Sequence, residues 1–408
     1  MMRVQQILDS ESNSDMKRQG FIVLVSDRDS SMSNCSDDGL LQKYPVHTFS
    51  LGKAEDPTEL VTIAKESKGT FSSISGNSKI MEAFAICLAG LKSVIAVIAR
   101  VKISHKESVN TSNVKVYKPV GINDTDFRME RDNEAVALGV LYAGEVKDLI
   151  VGIEFTVEDV KGFRSIDVLT ATVEYYKDVQ QEQLPKSTAK CTMQVHFCGT
   201  LFASGCTNDR TPFPMVVQQM ARFDVLLLMA EIRGKLDAVK KKKEDGIMLP
   251  YEAWRMLKSR WEESKNSDEY FYSWRQAQRV GVDLGRIEND IHAMVSCLKR
   301  GLGLGCVYSW VSSYQMQRAT TTGLPTTSSF LTPAMEDMVH QARKQSEKDA
   351  AATSAAGGGT RMALRPGEAR IVEVLEQIAK RLEDVETKLD HRGEPSRNPH
   401  RNPTTPGM

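Results

Sequence analysis

Five apolar residues, Phe21-Ile22-Val23-Leu24-Val25, run directly into Ser26-Asp27-Arg28-Asp29-Ser30-Ser31-Met32-Ser33. A continuous apolar run that ends in a carboxylate- and hydroxyl-rich loop has the character of a buried parallel strand, and ligands gather at the carboxyl ends of such strands. Within the loop, Asp29, Ser31 and Ser33 have D-x-S-x-S spacing, a set of oxygen donors suited to a hard divalent cation. Asp and Ser are also the residues by which a chain ordinarily leaves a strand for a turn. The rest of the chain decides between these readings.

The segment to residue 98 alternates strands and helices. After Phe21–Val25 comes the strand Val46-His47-Thr48-Phe49-Ser50-Leu51, then helical spacing from Leu60 to Lys65 and a short strand Thr70–Ile74. A long apolar helix is expected from Ile80 to Ile98. Such alternation implies a parallel sheet. Three strands make only part of a doubly wound sheet.

From 99 to 190 the pattern becomes all-β. Val101–Ile103, Val114–Tyr117, Val146–Phe155 and Ile166–Tyr176 read as strands of a small β-sandwich. From 191 to 346 it becomes helical. Val216–Val239, the Trp254/Leu257/Trp261 spacing, Leu284–Leu298 and Val307–Arg318 each read as helices, and Thr332-Pro333 opens another. Residues 347–408 begin with the Ala/Gly/Ser run Ala350–Thr360, a linker composition. Ile371, Leu375, Ile378, Leu382, Val385 and Leu389 then form a short heptad seam over 371–389, able to support weak self-association, and the tail after it is expected to be disordered. The fold class expected is multidomain: partial α/β, β-sandwich, helical bundle, and a tail with a short coiled coil.

Composition narrows the function. With 53 Lys+Arg and 53 Asp+Glu the net charge is zero, so no overall field favours nucleic acid or a membrane surface. No apolar run reaches the roughly 18 residues that span a bilayer. Seven cysteines without a framework and a polar N-terminus point to the cytoplasm or nucleus rather than secretion.

The run from Phe21 to Leu91 resembles the last half of a von Willebrand factor A domain. Phe21–Asp27 resembles that family's fourth strand, with Arg28 where Gly is usual. Tyr44–Gly52 resembles the next strand, and Gly69-Thr70-Phe71-Ser72 the ending after the following helix. The resemblance implies that Asp27 is a vestigial metal-site position and that the family's own D-x-S-x-S would precede Met1. Asp29, Ser31 and Ser33 then imitate a site, and neither metal nor cofactor is expected. Leu138–Glu145 resembles the β segment that follows the A domain in a plant group. Cys306–Thr320, including Trp310, Ser313, Gln315, Met316, Gln317 and Arg318, together with Phe330–Met335, including Thr332 and Pro333, resembles the helical Vwaint domain of the same group. That group includes the wavy-growth type RING ubiquitin ligases.

The RING itself is not expected, because the chain contains no C-x2-C pair,. Cys191, His196, Cys198 and Cys206 fit no structural zinc spacing. Gly301–Gly305 follows a helix and lacks the Lys-Ser/Thr ending of a phosphate loop, so it reads as a helix-ending turn. Lys240–Lys243 reads as a solvated helix end. No nucleophile–base arrangement can be assembled. The expectation is therefore a non-enzymatic protein-interaction scaffold with protein partners. The alternative is a truncated relative of a RING ligase that keeps its substrate-recruiting domains. A metal-dependent adhesion or carrier protein ranks last.

Overall fold

A computed structural model describes residues 20–26, 44–52, 57–74, 80–105, 113–117, 135–154, 165–176, 187–196, 213–241, 249–266, 272–300, 304–320 and 330–355. The chain divides into two compact units, residues 1–347 and 348–408.

The first unit opens with three parallel strands in the order β1-β2-β3: β1 (Ile22–Ser26), β2 (Val46–Leu51) and β3 (Phe71–Ile74). Every residue of the central strand β2 is buried, which is why its sequence lacks clean alternation. Its polar members are satisfied inside: the Thr48 hydroxyl donates to Leu60 O at 2.9 Å, and His47 Nδ1 lies 2.8 Å from Thr70 Oγ1. Helix α1 (Thr58–Glu66) makes the crossover to β3. Its end is fastened by Ser67, whose hydroxyl donates to Ile63 O and accepts from Val46 N. The chain then passes so close to β2 that a Cβ at Gly69 would lie 1.9 Å from Val46 O.

Helix α2 spans Ile80–Lys92 and stops six residues short of the expected end. Ser93 closes it by donating its amide to Ala89 O, and strand β4 (Val94–His105) follows at once. The run Val94-Ile95-Ala96-Val97-Ile98 is rich in β-branched residues, which pay side-chain freedom in a helix and fit a pleated sheet. That preference decides the assignment once α2 has a turn to end on.

Strand β4 pairs antiparallel with β6 (Ala135–Tyr142) and β8 (Ser165–Tyr176), and β8 with β9 (Ser187–His196), giving the order β6-β4-β8-β9. Strands β5 (Asn113–Tyr117) and β7 (Ile150–Glu154) form a separate antiparallel pair. The segment expected as a sandwich thus contains two sheets, and its boundaries at 98/99 and 190/191 both fall inside strands.

The helices are α3 (Pro214–Lys241), α4 (Leu249–Asn266), α5 (Tyr272–Arg279), α6 (Gly285–Lys299), α7 (Gly305–Met316) and α8 (Pro333–Ala355). The sequence reading missed α5. It also read Ala350–Thr360 as linker, whereas α8 continues to Ala355; alanine is the strongest helix former. Asp283 does not cap α6 by the usual reach, but its Oδ1 accepts from Gly285 N at 2.7 Å. Trp261, Leu257, Ile291, Met294 and Trp310 join Leu60, Ala64 and Phe71 of the α/β segment in one continuous hydrophobic core. Helices expected as a separate bundle therefore close over α1 and β3. Among the described residues, no helix is long and apolar enough to cross a membrane.

Helix α7 also covers the outer side of β3. The Phe71 amide donates to Ser312 Oγ at 3.0 Å, and the Ser309 hydroxyl donates to Phe71 O at 3.3 Å. Two serine hydroxyls thus supply what a further strand would have supplied. Gly305 allows the approach, since a Cβ there would lie 2.3 Å from Ser73 Oγ.

Candidate functional site: a buried ionic junction

Beyond Met316 the chain turns sharply. Gln317 adopts the left-handed conformation (φ 47°, ψ 47°), which costs a non-glycine residue about 1 kcal/mol and needs compensation from its surroundings. Its own amide provides it. Gln317 Oε1 accepts from Asp148 N and Nε2 donates to Asp148 O, both at 2.7 Å. The following residues fold back on α7. The Arg318 amide donates to Ser313 O, the Ser313 hydroxyl donates to Arg318 O at 2.7 Å, and the Thr320 hydroxyl donates to Ser309 O at 3.0 Å.

The corner drives Arg318 into the interior. Its Nε donates to Glu145 Oε1 at 2.8 Å, while Nη2 donates to Glu145 Oε2 at 3.1 Å and to Val140 O at 2.7 Å. The guanidinium carbon lies 4.1 Å from the centroid of the Tyr142 ring. Glu145 also accepts from Tyr142 N and from Lys147 Nζ, the latter at 2.6 Å. Lys147 Nζ donates further to Met316 O and Gln317 O. Around this centre, Asp148 Oδ2 accepts from Gln219 Nε2 at 2.8 Å and lies 3.6 Å from Arg222 Nη1.

Electrostatics follow from this geometry. Burial alone would raise the Glu145 carboxyl, but Arg318 and Lys147 outweigh it and hold the group below its ordinary range. Burial pushes Lys147 down to about 7, with Arg318 adding to the shift and Glu145 opposing it. Burial and then Arg318 depress His47 to about 3, so its imidazole is neutral in the fold; its Nε2 sits 3.4 Å from the Tyr142 hydroxyl. Tyr142 is raised to about 12, mainly by burial.

The eight signature positions thus have different surroundings. Ser313, Gln317, Arg318 and Thr332 are buried around the corner, and Trp310 is buried with its ring stacked on Tyr314 at 3.8 Å. Gln315 and Met316 are partly buried, and Pro333 is exposed. A Cβ on Gly144 would come within 3.0 Å of Pro333 Cδ, and Gly144 itself has φ +77°. The two segments that carry the resemblance, Leu138–Glu145 and Cys306–Met335, therefore meet.

No family model matches the chain, and no curated protein matches it. Solved structures do. One is a von Willebrand factor type A protein from Catenulispora acidiphila, at 14% identity and TM-score 0.36, covering 59% of this chain. The present chain spans 55% of that protein's length. Another is the ArnB paralog VWA2 from Sulfolobus acidocaldarius, at 14% identity and TM-score 0.37, covering 76% of this chain and 68% of that one. Overlaps of this size assign no fold, whereas the parallel order β1-β2-β3 is read directly from this structure.

Asp27, Asp29, Ser31 and Ser33 lie outside the described residues, as do Cys198, Cys206 and the seam Ile371, Leu375, Ile378, Leu382, Val385 and Leu389. Cys191 is an exposed free thiol on β9. Among the described residues, no group of three or more His, Cys, Asp or Glu is placed to hold a metal ion. Sequence reasoning missed Lys147, Asp148 and Arg222. A signal existed for Arg222, a charge set among the buried Val217, Ala221, Val225 and Leu226 of α3. The run Glu145-Val146-Lys147-Asp148 gave none, because surface turns have the same composition.

Chemically, the junction is an internal clamp. Its carboxylate, ammonium and guanidinium are spent on one another and on backbone carbonyls.

Proposed function

We propose that this chain is a non-enzymatic protein-interaction scaffold of von Willebrand factor A type, with the Vwaint-like helices seated on its sheet. The observation that carries the reading is an apolar strip formed by α3 and Phe213, the residue just before it. Phe213, Val216, Met220 and Leu227 recur at spacings of three, four and seven, which places them on one side of the helix. They are 68%, 45%, 37% and 54% exposed. The opposite side of α3 is filled by the core residues Val217, Ala221, Val225 and Met229. Exposed apolar side chains grouped on one helix side mark interaction surfaces, and helix recognition uses this spacing.

The test places a photo-crosslinking amino acid at Leu227 of the full chain. The expected result is a discrete adduct with another protein, competed by unlabelled wild type and not by Val216→Glu/Leu227→Glu. Absence of any adduct removes the support for an interaction surface, and an adduct only with itself replaces the scaffold by a homo-oligomer. A parallel assay with ubiquitin-activating and -conjugating enzymes should yield no conjugates from this chain alone.

A further inference from the structure

The two outer strands of the parallel sheet end differently. β3 is wholly buried, and its outer side is taken by the serines of α7. β1 lies at the other edge, where no strand among the described residues pairs with its outer side. One bond fixes the phase of that edge. Ile22 N donates to Pro45 O at 3.0 Å, with Ile22 in register with Val46. Along a strand, alternate residues turn their amide and carbonyl to opposite edges. Ile22, Leu24 and Ser26 therefore face β2, while Val23 and Val25 present theirs outward and Phe21 continues the alternation. Burial agrees with this phase: Ile22 is the buried member of β1, whereas Val23 is 40% exposed.

An open strand edge is ordinarily guarded by lysine, proline or an inward-pointing charge. Phe21–Ser26 contains none of these, so the edge is built to take another strand. Its own symmetry selects the occupant. Phe21, Val23 and Val25 are evenly spaced about Val23. A two-fold axis at Val23 sets a second copy antiparallel, with every outward amide opposite an outward carbonyl. Val23 then meets its counterpart, and Phe21 meets Val25 on either side of the axis. Aromatic and β-branched side chains are favourable neighbours across such a pair. The charges agree with the direction. In the sequence Lys17 and Arg18 precede the strand, while Asp27 and Asp29, around Arg28, follow it. Antiparallel copies set the basic end of one strand beside the acidic end of the other, whereas parallel copies would set like beside like.

We propose that β1 is a dimerisation strand, through which two copies of this chain join their sheets antiparallel about Val23. The dimer satisfies on one edge of the sheet, with a second copy, what the serines of α7 satisfy on the other within the chain. The edge shares no residue with α3, so what α3 binds is a separate matter.

The experiment uses sedimentation of the full chain over a range of concentrations. At roughly 100 µM chain, a Kd of about 100 µM pairs half of the molecules. Wild type is expected to dimerise reversibly, and Val23→Lys, which puts two ammonium groups together on the axis, to remain monomeric with an unchanged circular dichroism spectrum. Site-resolved hydrogen exchange should show the Val23 and Val25 amides slowing as concentration rises, while the Leu24 amide, facing β2, stays protected throughout. Register is read by cysteine cross-linking, which does not depend on how Val23→Lys folds. The counterpart Cα atoms at position 23 would lie about 5.5 Å apart, within reach of a disulfide, whereas those at position 25 would lie roughly 14 Å apart. Under mild oxidation Val23→Cys should therefore yield the tryptic peptide Gln19–Arg28 joined to itself, and Val25→Cys should not. A wild type that sediments as a monomer throughout would overturn the proposal. So would a dimer that survives Val23→Lys, or Val25→Cys linking as readily as Val23→Cys.

Discussion

Arg318 and Glu145 meet in a two-pronged ion pair, at 2.8 and 3.1 Å, with 4% and 2% of their side chains exposed. Removing one member leaves the other charged and buried, which costs about 3–5 kcal/mol. Glu145→Gln and Arg318→Met should each lower the unfolding free energy by that amount in urea titrations. The double variant Glu145→Leu/Arg318→Met should recover a large part of the loss, because it strands neither of these two charges. A double variant no better than the worse single one would show that packing, rather than charge, dominates here.

Acid sensitivity should trace to His47. Its pKa is about 3 in the fold against 6.5 for an unperturbed histidine, so between those values the unfolded chain takes up a proton that the folded chain does not. Stability is then fully present above pH 6.5 and falls as the pH drops towards 3, by up to about 4–5 kcal/mol. Glu145, also held low, adds a loss in the carboxylate range. The measurement is therefore the difference between wild type and His47→Gln, which keeps hydrogen-bonding capacity without titrating. That difference should change with pH chiefly between 6.5 and 3.

Two glycines separate backbone from side-chain crowding. Gly305→Ala places a methyl 2.3 Å from Ser73 Oγ and 2.9 Å from its Cβ, and should cost about 1–3 kcal/mol. Adding Ser73→Gly should return part of that. Gly69→Ala meets Val46 O at 1.9 Å, where no side-chain truncation makes room. Its thermal midpoint should fall further than that of Gly305→Ala, and no second substitution at a side chain should restore it.

Ser312→Ala leaves the buried Phe71 amide without the hydroxyl it donates to. The expected loss is about 1–3 kcal/mol, accompanied by faster hydrogen exchange at Phe71. Ser312→Thr retains the oxygen and should restore protection of that amide.

Local patterns made the first segment legible. The span Val46–Leu51 needed only its Val, Thr and Phe and the bounding Gly52, and α1 showed its period after Pro57,. The end of α2 was not legible, because Phe84, Leu88 and Leu91 keep a helical period into a β-branched strand and only Ser93 marks the change. The signature around Trp310–Arg318 stood out as unusual letters, yet its role was hidden. Gln317 and Arg318 act on Asp148, Glu145 and Val140, and no local pattern reports a partner more than 160 residues away. The shared core was hidden for the same reason. Leu60 and Phe71 look like an α/β core and Trp261 like a helical one, and only three-dimensional packing shows that they share an interior.

The serine cover on β3 also orders events during synthesis. Ser312 emerges 241 residues after Phe71. At translation speeds of 5–20 residues per second, the edge of that strand waits roughly 10–50 s for its lid. Over that interval the nascent α/β segment offers unpaired backbone to whatever stands at the ribosome exit. The dependence of this protein on early chaperones should therefore be set by the arrival of α7, long after its sheet has been made.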